Sequence, residues 1–319
     1  MLPFIKMLRY RRPAKSRSEL KFINKFIVPL GAVSDEFGNL VVEVGESKVL
    51  WSCHTDTVHR IGGTQSIVIN NNNVVGLSKV EKDSNCLGAD CTTGVFIMAE
   101  MIKAKVPGTY VFHREEESGG KGSRFIETNK KDWLRTKKFA IAFDRRGKTS
   151  VITHQGGTRG ASREFVESIV PMLPAGYQSD TGGIFTDTAN YTDYIPECTN
   201  LSVGYNSEHT QHETQSLSHL DALLSCMVKF DESKLVAHRD PTKREFMNTY
   251  YGDSGYSNGF RYSNEEIWDD YPTKDYYKSV ISLVKNYPED VASFLEELGM
   301  DFTSLKEYIY KTRGWEVKC

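Results

Sequence analysis

The sequence predicts an α/β fold, and three observations carry that prediction. Short β-branched or aromatic runs alternate with helical patterns through the first half of the 319-residue chain. Several of those runs end directly on an acidic residue or a histidine, as expected where loops converge at the carboxyl edge of an open α/β sheet. The composition, 39% hydrophobic and 26% charged, is that of a globular chain long enough to bury a large core.

Taken in order, residues 17–28 place Leu20, Ile23, Phe26 and Ile27 at helical spacing. DEFGNLVVEVG reads as a turn followed by a strand, and KVLWSC as a second strand ending at His54. GVFIMAEMI is a helical run opening just after Asp90. TYVFH is a strand leading into three glutamates, and KFAIAF another that ends on Asp144. TNLSVGY is a third of this type, four residues before His209, and a helix follows with Leu217, Leu220, Leu224 and Val228 on one face. Residues 236–273 lack periodicity and read as an irregular connector. Residues 274–319 turn helical again, with a stripe of Val280, Ile281 and Val284, then Pro288 opening a helix that carries Val291, Phe294, Leu295 and Leu298. The expected organisation is therefore a catalytic domain over 1–235, the connector, and a helical C-terminal segment.

Charge and hydropathy narrow the function. A net charge of -2 with interspersed signs gives no basic stripe for nucleic acid. No apolar run reaches the roughly 18 residues of a membrane helix. The opening MLPFIKMLRYRRPAKS inverts the charged-then-apolar order of a signal peptide, because Lys6 breaks its apolar run and Arg9, Arg11 and Arg12 follow; a packed N-terminal arm is expected. Six cysteines without CxxC spacing suggest reduced thiols and a cytoplasmic protein, with neither a disulfide framework nor a thiolate zinc site.

Five places combine carboxylates and imidazoles at strand or helix ends. His54 and Asp56, two apart in extended backbone, share a face, so Asp56 can orient the imidazole. Asp90 stands at a helix entrance, where a simple N-cap is the ordinary reading. Glu115, Glu116 and Glu117 sit between a strand and a glycine-rich turn, where adjacent like charges call for a compensating cation. Asp144 ends an apolar strand with Arg145 and Arg146 beside it, so an ion pair is an alternative to metal binding. His209 and His212 lie among Glu208 and Glu213, without the spacing of a HExxH site. Each is a weak signal alone; their order along the chain is what carries weight.

That order resembles the di-zinc exopeptidases, the co-catalytic zinc aminopeptidases, tripeptidases and carboxypeptidases. The likeness runs from about residue 17 to about residue 230. It rests on D-x-x-G-N-L (Asp35, Gly38, Asn39, Leu40), HTDTV (54–58), LGAD with Gly94, EExGxxGS (116–123), the strand-end Asp144 and VGY…EHTxxE (203–213). The resemblance implies a single central, mostly parallel mixed sheet flanked by helices. No lid domain is inserted between Asp144 and His209, and a helical appendage follows at the C-terminus.

It also implies two Zn²⁺ ions, with Mn²⁺ or Co²⁺ able to substitute. Asp90 would bridge them, His54 and Asp144 completing one site and Glu117 and His209 the other. Glu116 would be the general base acting on a water held between the ions, and a cis peptide is expected at Asp90–Cys91. The triple glutamate admits a second register one residue earlier; the glycine spacing selects Glu116-Glu117. The substrate would be a peptide, cleaved at one end in the manner of an aminopeptidase. Alternatives are an N-acyl amino acid cleaved at the same site, or a catalytically silent metal-binding protein. The group that reads the substrate's terminus stays open among Arg145, Arg146, Arg159, Glu115, Asp180 and Asp187, as does the oligomeric state.

Overall fold

The structure, a computed structural model, describes residues 1–246. The connector beyond that point and the helical segment expected over 274–319 lie outside the described residues.

An eight-stranded sheet forms the centre, in the order Gln178–Asp180, Ser150–Ile152, Glu197–Ser202, Phe139–Arg145, Val49–His54, Gly108–His113, Leu40–Val44, Val33–Ser34. Its four middle strands, from Glu197–Ser202 to Gly108–His113, are parallel. Antiparallel pairings join Ser150–Ile152 on one side and Leu40–Val44 on the other, so the sheet is mixed with a parallel heart. The residues explain the arrangement: every position of Val49–His54 and Gly108–His113 is buried, as strands covered on both faces require. Trp51 anchors the core, stacked on Phe143 at 5.7 Å and edge-on to Phe230 at 5.1 Å.

Register sets the site. His54 pairs with His113 across two parallel strands, and Asp144 lies at the carboxyl end of the strand on the other side of Val49–His54. The carboxyl ends of the middle strands thus deliver the polar residues to one edge. The stretch from Asp144 to His209 supplies three strands of this same sheet and the helix Arg163–Ile169, and among the described residues no separate domain interrupts it.

A smaller antiparallel sheet, in the order Tyr205–Asn206, Thr214–Ser216, Val74–Leu77, Ile67–Ile69, was not legible beforehand. It ties the loop carrying His209 to a hairpin that follows the HTD segment. The N-terminal arm is a short helix, Leu2–Met7, whose Phe4 packs on Phe96 at 5.4 Å. Two helical faces differ from expectation. In Arg17–Phe26 the buried side is Ser18, Glu19, Phe22 and Ile23, leaving Leu20 exposed, because Glu19 is drawn inward by Arg114. In Leu217–Met227 the buried face is Leu217, Leu220, Leu223 and Met227, so Leu224 and Val228 are only partly covered. No helix of the described residues is long and apolar enough to cross a membrane.

Candidate metal centre

His54 closes its strand fully buried, and its two nitrogens have different surroundings. Nδ1 lies 3.1 Å from the backbone carbonyl of Asp56 and 3.6 Å from its carboxylate. Donation from Nδ1 to those oxygens leaves Nε2 facing Asp90 Oδ1 at 2.9 Å and Asp144 Oδ1 at 3.2 Å. The Asp56 carboxylate also accepts from the backbone N–H groups of Glu116 and Glu117, at 3.1 and 3.2 Å. Burial disfavours its charge, but His54 and those N–H groups hold the carboxyl below the usual range.

Asp90 stands at the entrance of the helix Ala89–Lys103, where Asp90 and Cys91 depart from helical geometry and the Asp90–Cys91 peptide is cis. It does not act as a conventional N-cap. Its Oδ1 faces His54, and its Oδ2 lies 3.3 Å from His209 Nε2. Buried Glu213 orients this segment, accepting from Gly88 N–H at 2.8 Å and Asp90 N–H at 3.0 Å.

Asp144 accepts from the Thr186 hydroxyl at 2.8 Å, with Tyr205 Oη at 3.4 Å from its other oxygen. Glu117 Oε1 is 3.2 Å from His209 Nε2, and Glu116 Oε2 is 4.0 Å from His54 Nε2. Glu115 points elsewhere, paired with Lys15 at 3.0 Å and Lys121 at 3.2 Å. The turn that presents these glutamates joins two sequence motifs. Asn39 receives the N–H of Arg114 at 3.0 Å and donates to the Gly122 carbonyl at 3.1 Å. A Cβ on Gly122 would lie 2.2 Å from Asn39 Oδ1, so the glycine leaves the space that Asn39 fills.

The electrostatics of the cluster call for a cation. Burial, and then Asp90, push Glu117 up to about 7 and Asp144 up to about 6. Burial pushes Glu116 well above the usual carboxyl range; His54 opposes this, and Asp144, Asp187 and Glu117 reinforce it. Hydrogen bonds to Asp90 and Glu117 raise His209 to about 11. Carboxylates thus outnumber imidazoles in a water-poor space, which is costly unless positive charge arrives. His54, Asp90 and Glu117 each offer a donor atom within 4.8 Å of one another, as do His54, Cys91 and Asp144. These are candidate metal-binding residues, and their nitrogen and oxygen donors, with the Cys91 sulfur in the second group, fit a divalent ion such as zinc.

The residues considered for reading a substrate terminus are mostly engaged. Arg145 donates to the Gly182 carbonyl at 3.0 Å and lies 3.6 Å from Asp180. Arg146 pairs with Glu208 at 3.3 Å, and Arg159 with Glu245 at 3.1 Å. Asp187 is buried, 3.3 Å from His113 Nδ1, with Oδ1 unpartnered; burial is the main cause raising its carboxyl to about 8.

Several supporting residues escaped sequence reading. Buried Arg12 donates to the Thr55 carbonyl at 2.9 Å and to Thr92 Oγ1 at 2.9 Å, clamping the HTD segment from the N-terminal arm. Glu19 takes a two-pronged bond from Arg114, at 2.7 and 2.9 Å, and one from Thr55. Only the Ser16-x-x-Glu19 capping pattern hinted at Glu19; for Arg12 no local signal existed.

The architecture matches solved structures at low identity. Aminopeptidase PepT from Bacillus cereus superposes with a TM-score of 0.57 at 15% identity, over 71% of this chain and 96% of that one. The chain shares its fold with that aminopeptidase. A tripeptidase from Staphylococcus aureus gives 0.55 at 15% identity, over 71% and 95% of the two chains. The TET1 peptidase of Pyrococcus horikoshii, described as assembling into a tetrahedron or a large octahedral shell, gives 0.55 at 16% identity over 71% and 98%. No family model and no curated protein matches the sequence.

Proposed function

We propose that the protein is a metal-dependent hydrolase of peptide bonds, an exopeptidase of the aminopeptidase type working with two zinc ions. The observation that carries this reading is Asp90, which turns one carboxylate oxygen to His54 and the other to His209. In this reading Asp90 would be shared by both ions, His54 and Asp144 would hold one of them, and Glu117 and His209 the other. The peptidases that share the fold support the assignment of reaction class.

When bound, the two ions supply Lewis acidity and make water acidic enough to attack near neutral pH. The rest falls to the chain. Glu116, next to the ligand Glu117 and beside His54, takes the water's proton and returns it to the leaving amine. Asp56 keeps the Glu116–Glu117 backbone and the His54 ring in register. Glu213 and Thr186 fix Asp90 and Asp144 from behind. The free cysteines Cys53, Cys86, Cys91, Cys198 and Cys226 are in keeping with a reducing, cytoplasmic setting.

The test is a panel of aminoacyl, dipeptide, carboxyl-terminal and N-acylated substrates on zinc-reconstituted protein, with metal counted per chain. Turnover of free-amine substrates with two ions bound is the expected result. Turnover confined to N-acylated amino acids, or none with both ions present, overturns it.

A further inference from the structure

Two large apolar side chains stand open beside this centre. Ile184 is 80% exposed and Phe185 37% exposed. Single exposed apolar residues are ordinary on protein surfaces; this pair differs in where it is held. The next residue, Thr186, donates to Asp144 Oδ2 at 2.8 Å. On its other side the Phe185 ring lies on Gly120, where a Cβ would come within 2.6 Å of the ring's Cζ. Gly120 closes the turn that carries the glutamates, its N–H donating to the Glu116 carbonyl at 2.7 Å. Phe185 and Thr186 therefore link the Glu116 side of the centre to the Asp144 side, and Ile184 is the next residue along.

The segment is also fixed in place. The Gly183 carbonyl accepts from Gly156 N–H at 2.9 Å, and a Cβ on Gly183 would meet the His154 carbonyl at 2.3 Å. Arg145, which donates to the Gly182 carbonyl of this segment at 3.0 Å, is turned on Asp180 at 3.6 Å. Ile184 and Phe185 thus give this side of the centre an exposed apolar element.

Resting on the exopeptidase reading, we propose that Ile184 and Phe185 form the apolar wall of the subsite receiving the side chain of the substrate's terminal residue. The preferred substrates are then peptides with a large aliphatic or aromatic residue at that end. Burying such a side chain against the wall removes apolar area from water, whereas a glycine gains nothing there. Lysine or glutamate would lose hydration against that wall.

The test uses the full-length, zinc-loaded protein. Calorimetric titrations with the hydroxamates of leucine, glycine, lysine and glutamate are set beside hydrolysis of the matching aminoacyl substrates. The hydroxamate head is common to all four, so differences in affinity report the side chain. Leucine hydroxamate is expected to bind at least about tenfold tighter than glycine hydroxamate. Ile184→Asn should cut that ratio by about threefold or more and lower leucyl kcat/KM in the same proportion. Because Ile184 is so exposed, the variant keeps its fold, which thermal melting verifies. Equal binding of leucine and glycine probes by a protein that hydrolyses peptides overturns the wall and leaves the exopeptidase reading standing. Selective leucine binding without hydrolysis of any substrate does the reverse. An unchanged ratio in Ile184→Asn, with a lower sedimentation coefficient, identifies the pair as a contact between copies and also overturns the proposal.

Discussion

The carboxylate of Asp56 accepts the backbone N–H of Glu116 at 3.1 Å, joining the loop after one central strand to the loop after its neighbour. The group proposed as the base and the imidazole of His54 therefore share one support.

Glu116→Gln keeps the shape of the side chain and removes its ability to accept a proton. Turnover should fall by about 10²- to 10⁴-fold, while elemental analysis still finds both ions. Retention of activity would reassign the base.

Asp90→Ala and His209→Ala separate bridge from single-site ligand. Loss of the bridge should release both ions, because it faces both histidines. His209→Ala should release one, as His209 meets Glu117 and one oxygen of Asp90 and so serves a single ion in the proposed reading. Ion counts per chain after dialysis decide; equal losses in the two variants would contradict the assignment.

Metal-free protein should lose stability as pH rises from about 4 to 7, the window set by the shifts to about 7 for Glu117 and about 6 for Asp144. The sign follows from proton counts: these carboxyls hold protons in the folded state that the unfolded chain has already released. His209, raised to about 11, acts in the same direction above its ordinary histidine range. Zinc replaces the protons, so the slope should flatten when the ions are present. Thermal melts across that range with and without chelator are the check.

Glu19→Gln leaves the partly buried Arg114 guanidinium without its counter-charge. A cost of about 3–5 kcal/mol is expected, read by urea unfolding of the metal-free protein. A change within about 0.5 kcal/mol would place Glu19 among ordinary surface residues.

Gly122→Ala pushes a methyl into Asn39 and the Arg114 carbonyl. Overpacking of this kind costs about 1–3 kcal/mol. Because the Glu116–Glu117 turn hangs on the same contact, leucyl turnover should fall as well.

These residues also mark how far the sequence could be read. Strand ends at His54 and Asp144 were legible because continuous apolar runs stop abruptly on a polar residue. Gly122 and Asn39 stood in separate motifs, and nothing along the chain indicated that one fills the gap left by the other. The helix Arg17–Phe26 shows the limit most clearly. Its apolar spacing favoured Leu20, but a buried ion pair to Arg114, far along the chain, rotates Glu19 inward. The small sheet was hidden because Thr214–Ser216 carries almost no apolar signal and gains its order only by pairing with Val74–Leu77.

Glu213 secures the Asp90 segment through Gly88 and Asp90 N–H groups, reaching back across more than a hundred positions of chain. During synthesis a ribosome-bound fragment ending before that glutamate would own most of the acidic side chains yet lack the brace that aims Asp90. In the proposed reading, cation capture would then wait until Glu213 has been made, and an immature chain would have little means of sequestering zinc.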